Sequence, residues 1–224
     1  PCYHTDLYTF SLGGETVGIL GCVVGAPFAV LIAEELFACG CRILISLTSA
    51  GQIVALESPP YFVIIDRALR DEGASYHYAL PEAFAEADPR IVRLASDALK
   101  KAGLRAVVGP SWTTDAPFRE TAAAVEAARA KGILAVEMEA SALYTFARTA
   151  RVANHRVARC YHSLAWYIGR AYIATSSRVT YRGAHIVISY RIAVVARAMV
   201  IIIAIVVSTT TTTMVVSVVR AIVV

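Results

Sequence analysis

The feature that most constrains the fold is a regular alternation of short apolar runs with segments of helical periodicity, from residue 16 to residue 150. The runs TVGILGCVV, RILISL, YFVII, LRAVVG and ILAV show no polar alternation, as is typical of strands buried on both faces of a sheet. The segments between them place apolar residues three and four positions apart, and prolines and glycines bound them. This alternation predicts an α/β fold with parallel βαβ units.

A second constraint is the stretch GILAVEMEASALYTFARTA, which runs from Gly132 to Ala150. Its first apolar residues predict a buried strand, and apolar residues at helical spacing follow Glu139. Glu137, Met138 and Glu139 are therefore expected at the carboxyl end of a strand, directly before a helix. Open α/β sheets bind ligands at such positions, although carboxylates there can also simply favour the positive end of the helix dipole.

Two further loops are expected beyond the ends of strands. Residues 48–51, Thr-Ser-Ala-Gly, carry hydroxyls and free backbone N–H groups that could cradle an anion such as phosphate, or could form an ordinary tight turn. The second loop, SWTTDAPFRET, precedes a helix that carries residues 122–130, and Thr114 or Asp115 is predicted to cap it. Between these loops His77 lies between two tyrosines, where it could face a ligand or lie on the surface.

Composition supports one good-sized domain that needs no disulfide bonds, because 57% of the 224 residues are hydrophobic. The five cysteines form no C-x-x-C pair and no cluster with the spacing of metal ligands, which indicates reduced thiols and predicts no metal site. The opening residues PCYHTDLYTFSLGG lack the basic and apolar regions of a signal peptide, so we expect a cytoplasmic protein.

Charge divides the chain at about residue 150. Residues 1–150 hold twelve basic and all 17 acidic residues, a balance of −5, and Glu139 is the last acid. The remainder holds nine arginines and neither lysine nor acid, a balance of +9. These arginines are spread singly among apolar residues and form no dense cluster, so the sequence does not predict a nucleic-acid partner.

The acid-free tail, residues 151–224, admits three interpretations. A membrane span between Arg197 and Arg220 is disfavoured, because Ser and Thr residues interrupt it and its apolar run, Ala198 to Val207, falls short of the ~20 residues required. The tail could instead contain strands or a helix that complete the domain. The third interpretation, which we favour, is a shift of reading frame near Arg148, because soluble enzymes seldom lose every acid and lysine abruptly. We therefore treat residues 1–150 as the α/β domain.

Four segments in order, VGAPFAVLIAEELFACGCR, LTSAG, WTTDAPFRET and AVEMEASALYTFA, resemble the nucleoside phosphorylase family of uridine phosphorylase and purine nucleoside phosphorylase type. The resemblance spans about Gly14 to Arg148. It implies a three-layer α/β/α architecture with a central mixed, largely parallel sheet. It also implies a homo-oligomer that acts on a nucleoside, with inorganic phosphate as co-substrate, no other cofactor, and neither nucleic acid nor membrane as partner.

The resemblance also implies roles for particular residues. Glu139, the catalytic candidate, matches a carboxylate that accepts hydrogen bonds from the ribose hydroxyls, and Met138 matches a thioether that packs on the sugar. Phe118 falls near the aromatic that stacks on the base. The implied site residues are Met138, Glu139 and Glu137 for ribose, Thr48, Ser49 and Gly51 for phosphate, and Phe118, Arg119 and Glu120 for the base.

The sequence departs from the family pattern at three places. Leu47 and Ile45 stand where the family usually shows a glycine and an arginine. The family's N-terminal Gly-Asp-Pro-x-Arg region does not occur before Leu7, and no strand with a Ser-Asp or Thr-Asn signature follows Arg148. Some of the groups that hold phosphate and protonate the base in the family are therefore not present in this sequence.

The predicted function is that of a pentosyltransferase, a nucleoside phosphorylase of uridine-type or broad preference. It would cleave the N-glycosidic bond with phosphate to give a free base and ribose 1-phosphate. An enzyme promotes that reaction by holding the ribose rigidly and stabilising the departing base. Two alternatives remain: a nucleosidase that uses water on the same bond, and an inactive fragment or membrane-tethered, non-catalytic homologue.

Overall fold

The computed structural model describes residues 4–13, 15–41, 43–56, 61–152, 161–167, 189–195, 200–206 and 220–223, with side chains up to residue 149. The helices are α1 (Ala26–Ala38), α2 (Pro89–Lys101), α3 (Ala122–Ala130) and α4 (Ala140–Val152). The strands are β1 (Leu7–Leu12), β2 (Glu15–Leu20), β3 (Leu44–Ser49), β4 (Gly51–Gln52), β5 (Tyr61–Asp71), β6 (Phe84–Glu86), β7 (Ala106–Thr114), β8 (Ala135–Glu137), β9 (Tyr161–Tyr167), β10 (Ser189–Val195), β11 (Val200–Val206) and β12 (Arg220–Val223). Short 3-10 turns occupy Ala74–His77 and Pro117–Arg119.

A mixed sheet forms the centre of the molecule, in the order β1-β2-β12-β3-β9-β5-β7-β8-β4, with β6 paired to β5. The parallel pairs are β3 with β9, β5 with β7, and β7 with β8. The strand β12 lies antiparallel between β2 and β3, so β2 and β3 run in the same direction, as the predicted βαβ unit requires. The strands β10 and β11 pair only with each other in the part of the chain that is described.

The sheet curls so that its far edge returns to the end of β3. Only Ala50 separates β3 from β4, yet β4 pairs with β8 on the opposite side of the strand order. In that pairing Gly51 lies opposite Val136. The curl therefore brings the Thr-Ser-Ala-Gly loop to the strand that ends at Glu137.

The two faces of the sheet are covered by different helices, which confirms the predicted α/β class. Along β5, Tyr61, Val63 and Ile65 pack into the core formed with α1 and α4. The alternate residues Phe62 and Ile64 pack into a second core with α2. Because both faces are covered, the run YFVII contains no polar residue, and this layering is what the lack of alternation indicates.

Several element bounds differ from the predictions. Strands β5 and β7 extend to Asp71 and Thr114, although the apolar runs that predicted them end at Ile65 and Gly109. Beyond those points the strands stay paired but carry polar residues, and periodicity in apolar residues does not detect such a strand.

The predicted cap of α3 is wrong. The Thr121 hydroxyl, not Thr114 or Asp115, accepts the hydrogen bond from the Ala124 N–H, at 3.2 Å. Thr114 ends β7, and the Asp115 carboxylate instead accepts from the Gly73 N–H at 2.8 Å. The 3-10 turn Pro117–Arg119 follows both residues and separates them from α3.

No helix in the described part of the chain is long and apolar enough to cross a membrane. Most of residues 151–224 lie outside the described residues, including the greater part of the candidate span between Arg197 and Arg220. The shift of reading frame near Arg148 therefore stays a hypothesis.

Candidate active site

The centre of the candidate site is the junction of β8 and α4, residues 137–140, called here the carboxylate junction. Glu137 is buried, and its Oε1 accepts hydrogen bonds from the hydroxyls of Ser111 (3.0 Å) and Thr113 (2.5 Å) on β7. Its Oε2 accepts from the backbone N–H groups of Glu139 (2.8 Å) and Ala140 (2.7 Å). Glu137 thus satisfies the first N–H groups of α4, as the helix-start interpretation of this acid predicts.

Glu139 lies in a different environment two residues later. Its side chain is only 1% exposed, and its Oε1 accepts a hydrogen bond of 2.7 Å from the Gly25 N–H, which precedes α1. Gly25 has a φ of 90°, in the left-handed region that favours glycine. The second oxygen, Oε2, is buried and has no hydrogen-bond partner among the residues described. A buried acceptor without a donor is costly, so this oxygen is suited to a ligand that brings its own donor.

Burial raises the pKa of Glu139 to about 8, and repulsion by Glu137 acts in the same direction. The Gly25 N–H, the Met138 N–H and the Thr48 hydroxyl oppose this rise. Burial also raises the pKa of Glu137, against the hydrogen bonds that lower it. At neutral pH the ligand-free Glu139 carboxyl is therefore largely protonated.

The predicted Thr-Ser-Ala-Gly loop is part of two strands, because Thr48 and Ser49 end β3 and Gly51 begins β4. This segment lies against the carboxylate junction. Thr48 is buried, and its hydroxyl is near enough to Glu139 to affect that carboxyl's pKa, while its own hydrogen bond of 3.1 Å goes to the Ser49 carbonyl. A Cβ on Gly51 would lie 2.7 Å from Cγ1 of Val136, so only glycine allows this close approach. The structure thus brings Thr48 to Glu139 and Gly51 to Val136, and Ser49 lies between them at the end of β3.

The residues predicted to contact the base lie on the turn that follows β7, residues 117–120, called here the outer turn. Phe118 is 100% exposed, Arg119 is exposed and Glu120 is half-buried, with a pKa raised by burial. In the described part of the chain no side-chain hydrogen bond or ion pair joins these residues to Glu139. His77 is exposed on its 3-10 turn, and its role stays open.

Sequence reasoning missed the partners that complete the carboxylate junction. Gly25 is recognisable only as a turn before Pro27, and nothing in the sequence connects it to Glu139, 114 positions later. Ser111 and Thr113 were expected in a loop, although they belong to β7 and face Glu137. The pairing of β7 with β8, which places Thr113 opposite Glu137, is what brings them together.

Clusters of three or more His, Cys, Asp or Glu residues that could hold a metal ion do not occur among the residues described. Burial raises the pKa of Cys41 to about 12, so this thiol stays protonated and is a core residue. The polar groups observed at the junction are carboxyl, hydroxyl and backbone N–H groups.

Comparison with known proteins gives two further findings. A family model described as the phosphorylase superfamily matches residues 1–158. The structure is similar to a uridine phosphorylase from Vibrio fischeri ES114 complexed with 6-hydroxy-1-naphthoic acid, at 23% identity and a TM-score of 0.64, over 76% of this chain and 68% of that one. A second structure of uridine phosphorylase from the same organism is 25% identical with a TM-score of 0.64, over 73% of this chain and 66% of that one. This chain thus spans about two thirds of their length.

Proposed function

The chain belongs to the phosphorylase superfamily, and from that premise we propose that it is a nucleoside phosphorylase, a pentosyltransferase of uridine-type or broad preference. The observation that carries the proposal is the buried Oε2 of Glu139, which has no hydrogen-bond partner among the described residues and lies beside the Thr-Ser-Ala-Gly segment. A polar sugar that donates hydroxyl hydrogen bonds would satisfy this oxygen. The likeness to two uridine phosphorylase structures supports the same proposal at the level of the fold.

In the proposed reaction the ribose hydroxyls donate to the Glu139 carboxylate, and the half-buried Met138 packs on the sugar. Such hydrogen bonds favour the ionised carboxyl, so nucleoside binding would lower the pKa of Glu139 and release a proton. The sugar is then held in one orientation while positive charge develops at C1′. Glu139 is therefore the proposed catalytic residue.

Phosphate would be held by the Thr48 and Ser49 hydroxyls and by the backbone at Gly51. One of its oxygens would form a bond to C1′ as the C1′–N bond breaks, and the electron pair of that bond would leave with the base. Backbone N–H groups and hydroxyls suit an oxyanion because they donate without moving. Inorganic phosphate is the co-substrate in this scheme, which uses no other cofactor.

Phe118, Arg119 and Glu120 are proposed to contact the base. We also propose that the chain acts as a homo-oligomer, because a fully exposed Phe118 suits a position that a base or a second copy of the chain would cover. Light scattering of the purified chain would test the assembly. A mass equal to one copy would contradict it.

The deciding experiment is an assay with uridine and with inosine, in the presence and absence of phosphate. Base release that requires phosphate, with ribose 1-phosphate as the second product, is the expected result. Base release undiminished without phosphate would instead identify a nucleosidase that uses water. No release under either condition would favour a non-catalytic homologue.

A further inference from the structure

We infer that Glu137, although it lies beside the proposed ribose ligand, does not bind the sugar but is a positioning residue that holds the backbone of Glu139 in place. This inference revises the sugar-binding role predicted for Glu137 from the resemblance. Its kinetic test rests on the proposed function, whereas its hydrogen-exchange test does not.

Protein donors occupy both oxygens of the Glu137 carboxylate. A carboxylate offers about four acceptor positions. Four protein donors already take them: two hydroxyls from β7 at Oε1 and two backbone N–H groups at Oε2. The side chain is buried, so no acceptor position faces an approaching sugar. Glu139 differs, because no residue in the described part of the chain donates to its Oε2.

The hydrogen bonds of Glu137 continue into a buried network around the start of α4. The Thr113 hydroxyl, which donates to Glu137, accepts from the Ser141 N–H at 3.0 Å. The Ser141 hydroxyl donates to Oε1 of Glu72 at 2.8 Å, and Oε2 of Glu72 accepts from the Ser75 N–H at 2.9 Å. Each of these residues is buried. Three successive N–H groups at the start of α4, those of residues 139–141, thus have side-chain acceptors within the protein.

The consequence for Glu139 follows from its place in the chain. Its carboxyl must meet the Gly25 N–H with one oxygen and the ligand with the other. A first turn of α4 that is free to shift would move both oxygens, and a displacement of about 1 Å can cost on the order of 100-fold in rate. Glu137 and Thr113 remove that freedom without touching the substrate.

The test compares Glu137→Gln, Glu137→Ala and Thr113→Val. Gln keeps an acceptor oxygen for the Glu139 and Ala140 N–H groups, and its NH₂ can donate to the two hydroxyls. We therefore expect Glu137→Gln to keep kcat/KM within about 3-fold of the unchanged chain. Thr113→Val should lower kcat/KM about 10-fold, and Glu137→Ala should lower it about 100-fold. The acid limb of the pH profile should also move to lower pH in Glu137→Gln, because a neighbouring negative charge is removed.

The matched control for Thr113→Val is Thr145→Val. Thr145 is also buried, but its hydroxyl donates only to the carbonyls of Ser141 and Ala142 within α4. We expect Thr145→Val to leave kcat/KM within about 2-fold of the unchanged chain. Thr113→Ser keeps the hydroxyl, so it should retain the kcat/KM that Thr113→Val loses. A loss in Glu137→Gln as large as that in Glu139→Gln would overturn the inference, because it would show that the sugar needs the charge of Glu137.

Amide hydrogen exchange gives a readout that does not depend on turnover. The Glu139 and Ala140 amides should exchange at least about 10-fold faster in Glu137→Ala than in the unchanged chain, and should stay slow in Glu137→Gln. Should Glu137→Ala fail to fold, faster exchange of the Ser141 amide in Thr113→Val tests the same network. A chain that lacks phosphorolysis but shows this exchange pattern would refute the proposed function alone. Unchanged exchange would refute the positioning role, whatever the activity.

Discussion

The carboxylate junction and the outer turn both carry residues assigned to the nucleoside, but the protein holds them in opposite ways. Glu139 is 1% exposed and hydrogen-bonded to a distant part of the chain, whereas Phe118 is 100% exposed. The junction is thus organised before any ligand arrives, and its carboxyl has a strongly raised pKa. The outer turn instead presents the Phe118 side chain to solvent. Substitutions at the two regions should therefore differ in kind.

Substitution of Glu139 should have the largest effect on activity. Glu139→Gln replaces the carboxylate with an amide that accepts hydrogen bonds less strongly, so we expect kcat/KM for a nucleoside to fall about 100- to 1,000-fold. Steady-state kinetics with uridine measure this loss. The control is Glu126→Gln, because the Glu126 side chain is exposed, and an unchanged kcat/KM in Glu139→Gln would contradict the assigned role.

The second prediction concerns stability against pH. Because burial raises the pKa of Glu139 to about 8 from an ordinary 4.5, the folded chain binds more protons than the unfolded chain between these values. The free energy of unfolding should therefore be highest below pH 4.5 as far as this group is concerned, and should fall by a few kcal/mol as pH rises to about 8.

Denaturant unfolding at pH 5 and pH 8.5 measures this change. Glu139→Gln should reduce the dependence, because the amide does not titrate, and the raised pKa of Glu137 should account for part of what is left. Glu126→Gln should leave the dependence as it is. An equally steep dependence in Glu139→Gln would show that other groups cause it.

Gly51 tests the close approach between the loop and β8. In Gly51→Ala the new Cβ would lie 2.7 Å from Cγ1 of Val136, so the Val136 side chain or the β4–β8 pair must shift. We expect a loss of about 1–3 kcal/mol in the free energy of unfolding, and a weaker affinity for phosphate. Gly21→Ala is the matched control, since nothing lies within 4 Å of a Cβ at Gly21. Equal thermal stability of the two variants would contradict the packing argument.

The outer turn should give the smallest effect on stability. Phe118→Ala removes a side chain that contacts no core, so the free energy of unfolding should change by less than about 0.5 kcal/mol. If Phe118 stacks on the base, KM for a nucleoside should rise by about 10-fold while the pH dependence of stability stays the same. A marked fall in Tm would show that the turn is packed in solution and would remove the contrast between the two regions.

The sequence predicted the junction well because its signals are local. A short apolar run, a Glu-Met-Glu triplet and a helical repeat place Glu137, Met138 and Glu139 between a strand and a helix, and β8 and α4 lie there. The strands β5 and β7 were predicted too short, because polar residues interrupt the apolar pattern in the second half of each strand. Ser111 and Thr113 are examples from β7: they are polar residues of the strand, and their hydroxyls donate to Glu137.

The sequence by itself determined the α/β class and the position of the acids at a strand–helix junction, because periodicity and turn residues act over a few positions. Only the tertiary structure decided that four protein donors occupy the Glu137 carboxylate, while Oε2 of Glu139 meets no donor within the ranges that the structure describes. That difference depends on Gly25, Thr48 and Thr113, which the curled sheet and the packing of α1 bring to the junction. A hydrogen bond between residues 114 positions apart leaves no trace in local sequence, since it forms only when the whole domain has folded.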